Sequence, residues 1–357
     1  MILTPLNLVN AGSIVAMDVS AGAGRALVKK GVQITSRDLE DLHRRGITHI
    51  YIEDGNELST KPDGTISEAT RQIALDAVTD LFDHIEDFRR FNLSRVKIAA
   101  ERMVDDILAN EEINVQVQDI RQHDDYTFKH SVNVTALSLA LGRRAGLPRD
   151  ELMVLALGGL MHDIGKKMVP LEILNKPSRL TDEEKRAIEE HTTKGFEILS
   201  QHTNTDPVIW SLARQHHESL DGTGYPDRRK GKDIHNLARM LQIVDQWDAL
   251  RSVRPYKPAW SNERVIHTIR SSGETGRMDP AYVKLFLKMV VPYPQGTVVQ
   301  LADGRMASVV AVNRHDPARP VVMLLSDRNG RPVPEDQRTH LELLQEPPET
   351  AIVKSLS

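Results

Sequence analysis

Histidines and aspartates on apolar helical faces are the residues of this chain that could do chemistry together. Its 357 residues include 14 histidines and no cysteine. Thiol nucleophiles, disulfides, zinc ribbons and iron–sulfur clusters are thereby excluded, and any metal must be held by nitrogen and oxygen ligands. Eight of the 14 histidines fall between His123 and His235, about twice an even spread. Their placement says more than their number. His130 shares a helical face with Val134, Leu137 and Leu141. His162-Asp163 ends the apolar run Leu152 to Met161, two residues before Gly165. His191 aligns with Ile188, Gly195 and Ile198 in a segment opened by a Thr181/Glu184 capping box. His216-His217 ends a helix that Asp206 and Pro207 begin, and Asp245 shares a face with Leu237 and Leu241.

Taken singly, an imidazole on an apolar face is most often a core residue that has found a hydrogen bond, and a His-Asp pair at a helix end is a polar terminus. Five helical segments each delivering such a group are explained best by divalent cations, because a buried carboxylate needs a partner and few Lys or Arg lie on those faces. Neighbouring helical residues diverge by about 100°, so His162 and Asp163 share a site only at a helix end or distortion, which Gly165 permits. The two oxygens of Asp163 could then bridge two cations. Lys166 is either a compact cation for phosphate or a surface lysine. Asp221, Gly222, Gly224, Tyr225 and Pro226 form a tight loop beside the His pair, where Tyr225 either stacks on a nucleotide or packs. Arg254 is open between phosphate and a local carboxylate.

The elements that position these groups are mainly helical. Residues 1–57 read as a small mixed α/β unit, with β-rich segments near 13–17, 25–28 and 48–52 and a helix from about Ser36 to Gly46. Residues 58–115 hold a linker and two helices, where Leu75, Val78, Leu81, Phe82, Ile85 and Phe88, then Val96, Ala99, Ala100, Met103 and Ile107, make apolar faces. They are connectors, a homodimerising pair, or helices packed on the next domain, and packing is favoured. Residues 116–293 form an all-helical bundle, and 294–357 a small β-rich module with a hairpin turning at Asp303-Gly304 and a further turn at Asn329-Gly330. A net charge of −4 and 4% aromatic residues argue against a nucleic-acid polymer as partner. The longest apolar run, ten residues, is too short to span a bilayer, and no basic start marks a signal peptide. A cytoplasmic protein is expected.

His216-His217-Glu218 followed by Asp221-Gly222-Thr223-Gly224-Tyr225-Pro226 resembles the signature of the HD-GYP phosphodiesterases. So do His162-Asp163-Ile164-Gly165-Lys166 with Val169-Pro170, Ile173-Leu174 and Lys176-Pro177, and Asp245 with Asp248-Ala249-Leu250 and Arg254-Pro255-Tyr256. The resemblance covers roughly residues 116–293. It implies a helical HD-domain fold and hydrolysis of cyclic di-GMP, a bacterial second messenger, to pGpG and then GMP. It further implies His130, His162, Asp163, His191, His216, His217 and Asp245 as metal ligands, with Asp163 as the bridge. Two divalent first-row ions would activate a bridging water for attack on phosphorus; iron or manganese suits the ligands, and zinc, nickel or cobalt is compatible. Asp163 and Lys166 would be catalytic, and Lys166, Asp221, Gly222, Gly224, Tyr225, Pro226 and Arg254 would meet substrate. Three departures stand out: Tyr126 where some members carry a third-metal Glu, Arg228-Arg229 in place of Gly-Leu, and Ile234-His235 in place of Ile-Pro. They leave two alternatives open, a receptor or scaffold with slow turnover and a hydrolase of another cyclic dinucleotide. Signalling proteins are the expected macromolecular partners.

Overall fold

The computed structural model describes residues 2–6, 9, 11–16, 19–20, 26–45, 47, 49–52, 65–85, 92–110, 115–116, 126–174, 176, 178–251, 260–313, 316–347 and 350–355. Two compact units divide the chain: Met1–Asp63, Gln116–Asp124 and Val290–Ser357 form one, and Gly64–Val115 with Asp125–Met289 the other.

In the first unit, β1 (Ile2–Pro5) pairs antiparallel with β4 (His49–Ile52), and β2 (Val19–Ser20) with β3 (Ala26–Val28). Helix α1 (Ser36–Arg44) starts at Thr35, whose hydroxyl accepts the Asp38 N–H while Asp38 returns a bond to the Thr35 N–H. Val15, Ile34, Leu42 and Ile50 centre a small core. The expected strand at 13–17 reduces to single bridges at Ile14 and Val15, and β1 takes the ladder beside β4 instead. Toward the C-terminus, β5 (Val298–Leu301), β6 (Met306–Ala311), β7 (Val321–Leu324), β8 (His340–Glu342) and β9 (Ile352–Ser355) make an antiparallel sheet in the order β8-β7-β6-β5-β9. Val299, Leu301, Ala307, Val309 and Val322 alternate inward onto Tyr293 and Leu343. The Asp303-Gly304 turn is present, with Gly304 at φ 89°.

The second unit is helical and carries the histidines. α2 (Glu68–Asp83) and α3 (Ser94–Ala109) pack on each other and against α4 (Tyr126–Arg144) and α5 (Arg149–Met161). Their buried faces follow the expected spacing, except that Ala74 and Ala77 take inner places while Leu75 is half-buried; Phe88 lies outside the described residues. Beyond its charged first residues, Arg149 to Glu151, α5 is apolar all round and buries Leu152, Leu155, Ala156 and Leu160 completely. α5 stops at Met161 and a 3-10 turn, Ile164–Met168, follows. After short α6 (Leu171–Leu174), the Thr181/Glu184 capping box opens α7 (Asp182–Glu189). His191 does not lie within that helix: the chain bends at Glu190 and His191 begins α8 (His191–His202). α9 (Pro207–Gln215) follows Asp206 as expected, α10 (Asn236–Arg251) packs on α4, and α11 (Asn262–Glu274) with α12 (Pro280–Leu287) completes the bundle. No helix of the described residues is long and apolar enough to cross a membrane.

Candidate metal centre

The turn after α5 carries Asp163 to the middle of the imidazoles. It lies directly on the backbone of α8, and Gly165 is what permits this. A Cβ there would stand 2.0 Å from the His191 carbonyl oxygen and 2.6 Å from the Gly195 nitrogen. Asp163 Oδ2 lies 3.3 Å from His162 Nε2 and 3.6 Å from His130 Nε2, while Oδ1 lies 3.5 Å from His191 Nε2 and 3.7 Å from His216 Nε2. Asp245 on α10 is 3.0 Å from His130 Nε2 through Oδ1 and 3.5 Å from His217 Nδ1 through Oδ2. The seven groups thus form one cluster, in which His130, His162 and Asp245 make one set close enough to share an ion and His191, His216 and His217 another.

Hydrogen bonds fix which ring atoms face inward. His162 Nδ1 lies 2.7 Å from the Gly159 carbonyl, His191 Nδ1 2.6 Å from that of Ile188, and His216 Nδ1 3.2 Å from that of Leu212. A carbonyl only accepts, so each Nδ1 donates, and in the neutral ring each Nε2 keeps its lone pair. Two of those lone pairs, on His191 and His216, then face each other at 3.2 Å. His162 Nε2 and Asp163 Oδ1 are fully buried with no hydrogen-bond partner among the described residues. Burial pushes the His191 imidazole down to about 3 and that of His217 down to about 4, and with His217 beside it His216 falls well below the usual range. Burial alone would raise Asp163, yet His162 and Lys166 outweigh it and hold the carboxyl well below its usual value. Asp245 is lowered likewise, by its bond to His130 and by His217 against the effect of burial. Buried imidazole nitrogens and ionised carboxylates that converge on one point are the donor set of a divalent cation, so the residues fit metal binding.

The cluster is open on one side. His130, His162, His191 and His216 are shut away, while the His217 side chain is 24% exposed and that of Lys166 16%. Lys166 Nζ lies 2.5 Å from Asp163 Oδ2. The Tyr225 ring lies 4.7 Å from that of His217, tilted 30°. Asp221 turns its Oδ1 to the Thr223 backbone and hydroxyl at 2.9 and 2.7 Å, closing the loop on itself. Gly224 runs so close to the chain at His217–Ser219 that a Cβ would meet backbone at 2.4–2.6 Å. Pro226 is half-buried. Arg254 lies outside the described residues, as does the Tyr126 side chain.

Two residues escaped the sequence reading as site residues. Asp248, one turn beyond Asp245, places Oδ2 2.6 Å from His130 Nδ1 and so turns Nε2 inward. Its signal was a second carboxylate at i+3 on a buried helical face. Glu218, fully buried beside His217, accepts the Asp227 N–H at 2.7 Å and the Arg229 N–H at 2.9 Å and anchors the loop.

A family model described as an HD domain matches residues 106–282, and a KOW domain associated with HD domain matches 298–357. The chain is 37% identical over 217 residues to a cyclic di-GMP phosphodiesterase of Pseudomonas aeruginosa, covering 60% of this chain and 52% of that protein. It is 34% identical over 175 residues to 3'3'-cGAMP-specific phosphodiesterase 1 of Vibrio cholerae, covering 49% and 40%. It is 35% identical over 150 residues to the cyclic di-GMP phosphodiesterase response regulator RpfG of Xanthomonas campestris, covering 42% and 39%. The chain therefore spans 52% or less of these three relatives' own lengths. Among solved structures, an HDG"Y"P protein from Bdellovibrio bacteriovorus shares the fold with a TM-score of 0.52 at 18% identity, over 80% of this chain and 97% of that one.

Proposed function

We propose that this chain, whose residues 106–282 match an HD domain, is a phosphodiesterase of the HD-GYP type that hydrolyses cyclic di-GMP to pGpG, with a second cut to GMP. The observation that carries the reading is Asp163, standing between two histidine sets with one carboxylate oxygen turned to each. We assign His130, His162 and Asp245 to one divalent ion, His191, His216 and His217 to a second, and Asp163 to both, with iron or manganese favoured over zinc, nickel or cobalt. Ions bound there supply Lewis acidity, lowering the pKa of a water and offsetting charge that develops on the phosphoryl group. The chain's own residues do the rest. Asp163 and Asp245 stay ionised and hold the inner face in place. Lys166, at the open side, exchanges its contact with Asp163 for a phosphate oxygen as substrate enters, and Arg254 takes phosphate as well. Tyr225, against His217, gives a base a flat ring to lie on, and Asp221, Gly222, Gly224 and Pro226 set the loop that presents it.

The likeness to a 3'3'-cGAMP-specific enzyme, together with Arg228-Arg229 in the loop, supports a second reading in which a hybrid cyclic dinucleotide is preferred or turnover is slow and the chain acts as a receptor. We read the chain as cytoplasmic and as divided at 1–57, 58–115, 116–293 and 294–357. Signalling proteins and a second copy of the chain, meeting through α2 and α3, are the partners we assign; Ile98 and Leu108 of α3 stay exposed and suit such a contact. The test is metal analysis of anaerobically purified protein, with hydrolysis of cyclic di-GMP and 3'3'-cGAMP assayed on the same sample. We expect two ions per chain and pGpG as product, both lost in D163A. Full metal content and activity in D163A would make the bridge assignment wrong, and tight binding without product over hours would favour the receptor.

A further inference from the structure

We infer that Arg228 reads the guanine edge of the bound cyclic dinucleotide, with Glu218 as the positioning residue that holds it there; the inference rests on the phosphodiesterase reading above. Arg228 has φ 56°, the one positive φ at a non-glycine position among the described residues. A residue bearing a Cβ is strained there and persists only where its surroundings enforce the conformation. Glu218 enforces it. This fully buried carboxylate takes the N–H groups on either side, Asp227 at 2.7 Å through Oε1 and Arg229 at 2.9 Å through Oε2. Arg228 also stands where the resemblance places the Gly of a Gly-Leu pair, so this chain carries a side chain where glycine would bear no strain.

The guanidinium groups beside it are engaged. Arg214 grips Asp227 through two bonds of 2.8 and 2.7 Å, and Arg229 reaches Asp227 Oδ2 at 3.2 Å and the Asp233 carbonyl at 3.4 Å. Lys230 lays its stem over Gly222. Arg228 is exposed and has no partner among the described residues. Three residues of chain reach at most roughly 11 Å, so Arg228 lies near Tyr225, whose ring sits 4.7 Å from that of His217. Lys166 and Arg254 are assigned to phosphate, which leaves the base. A guanidinium offers two parallel N–H groups that match O6 and N7 of guanine, whereas adenine puts an amino donor at that edge.

The test compares wild type, R228G and E218Q on cyclic di-GMP, 3'3'-cGAMP and cyclic di-AMP, with kcat, KM and Tm for each. Glycine adopts φ 56° freely, so R228G folds and loses only the side chain. The ratio of kcat/KM for cyclic di-GMP over cyclic di-AMP should fall by about tenfold or more in R228G, chiefly through KM, with 3'3'-cGAMP between them. E218Q should move the ratio the same way, and adding R228G to E218Q should move it no further. An unchanged ratio in R228G overturns the inference. So does a uniform fall across the three substrates, which marks a phosphate contact. If E218Q does not fold, R228G alone decides the base contact. A wild-type protein that cleaves no cyclic dinucleotide fails the phosphodiesterase reading itself, and this inference falls with it.

Discussion

Replacing Asp248 tests how the cluster is held. Asp248 Oδ2 and His130 Nδ1 lie 2.6 Å apart and both side chains are 1% exposed. With the Asp248 carboxylate oxygen as acceptor, the ring proton sits on Nδ1 and Nε2 turns toward Asp245 and Asp163. In D248N the amide either accepts through its oxygen or donates through its nitrogen, and donation moves the ring proton to Nε2, where a cation would bind. In D248A the buried Nδ1–H loses this acceptor, at about 1–3 kcal/mol of folding stability. Groups that orient a metal-bound imidazole are typically worth ten- to hundredfold in metal affinity, about 1.4–2.7 kcal/mol. We therefore expect both variants to bind Mn²⁺ or Fe²⁺ ten- to hundredfold more weakly in anaerobic chelator competition. D248A should also unfold at lower urea than wild type when both are metal-free. Wild-type metal affinity in both variants would refute His130 as a ligand held by Asp248.

Gly165→Ala forces a Cβ against the backbone of α8 at His191 and Gly195. Since backbone on both sides must give way, it should cost about 1–3 kcal/mol by urea denaturation and lower the metal stoichiometry, because Asp163 moves away from His191; an unchanged denaturation midpoint with full metal content would count against the close packing. Chelating the metals should lower Tm, by the equivalent of about 2.7 kcal/mol for one site at a free metal concentration a hundredfold above its Kd. Calorimetry across a metal titration checks this, and a Tm indifferent to metal would contradict a site built from the folded state's own donors.

What the sequence made legible were the groups whose neighbours along the chain announce their face. His130, His191 and Asp245 sit on apolar stripes of helices, so each was visible as an inward polar group before any fold was known. The bend at Glu190 was not legible, because that residue keeps a helical backbone (φ −60°, ψ −18°) and neither Gly nor Pro marks the break. Strands β8 and β9 escaped for a related reason. Each lies at an edge of the sheet: β8 is three residues long with Leu341 alone turned inward, too short to display a period, and β9 exposes Val353 and Lys354 side by side, which breaks the alternation that marked Val298 to Ala311. Asp248 and Glu218 were hidden by distance and by partner type. Asp248 meets a ring 118 positions away, and Glu218 meets backbone N–H groups, which every residue but proline carries and no side chain reports.

The two dipeptides and the single residues of the cluster differ in where they sit on their helices, and that difference follows from helix geometry. Within a helix neighbouring side chains diverge by about 100°, so a helix interior can send only one group toward a given point per turn. His130 and Asp245 come from the interiors of α4 and α10, and each is joined along its own helix by no other member of the seven. His162-Asp163 and His216-His217 instead straddle the ends of α5 and α9: His162 and His216 are the C-caps, and beyond the first of them Asp163 stands at φ −98°, ψ 9°. With no further helical turn to continue, both members of each pair reach the same cluster. Three helix ends, those of α5 and α9 and the start of α8, thus supply five of the seven groups, and two helix interiors supply the remaining two. A change that prolonged α5 by one turn, such as removing the distortion Gly165 allows, would swing Asp163 away from His162 and break up the cluster while leaving every residue of the motif in place.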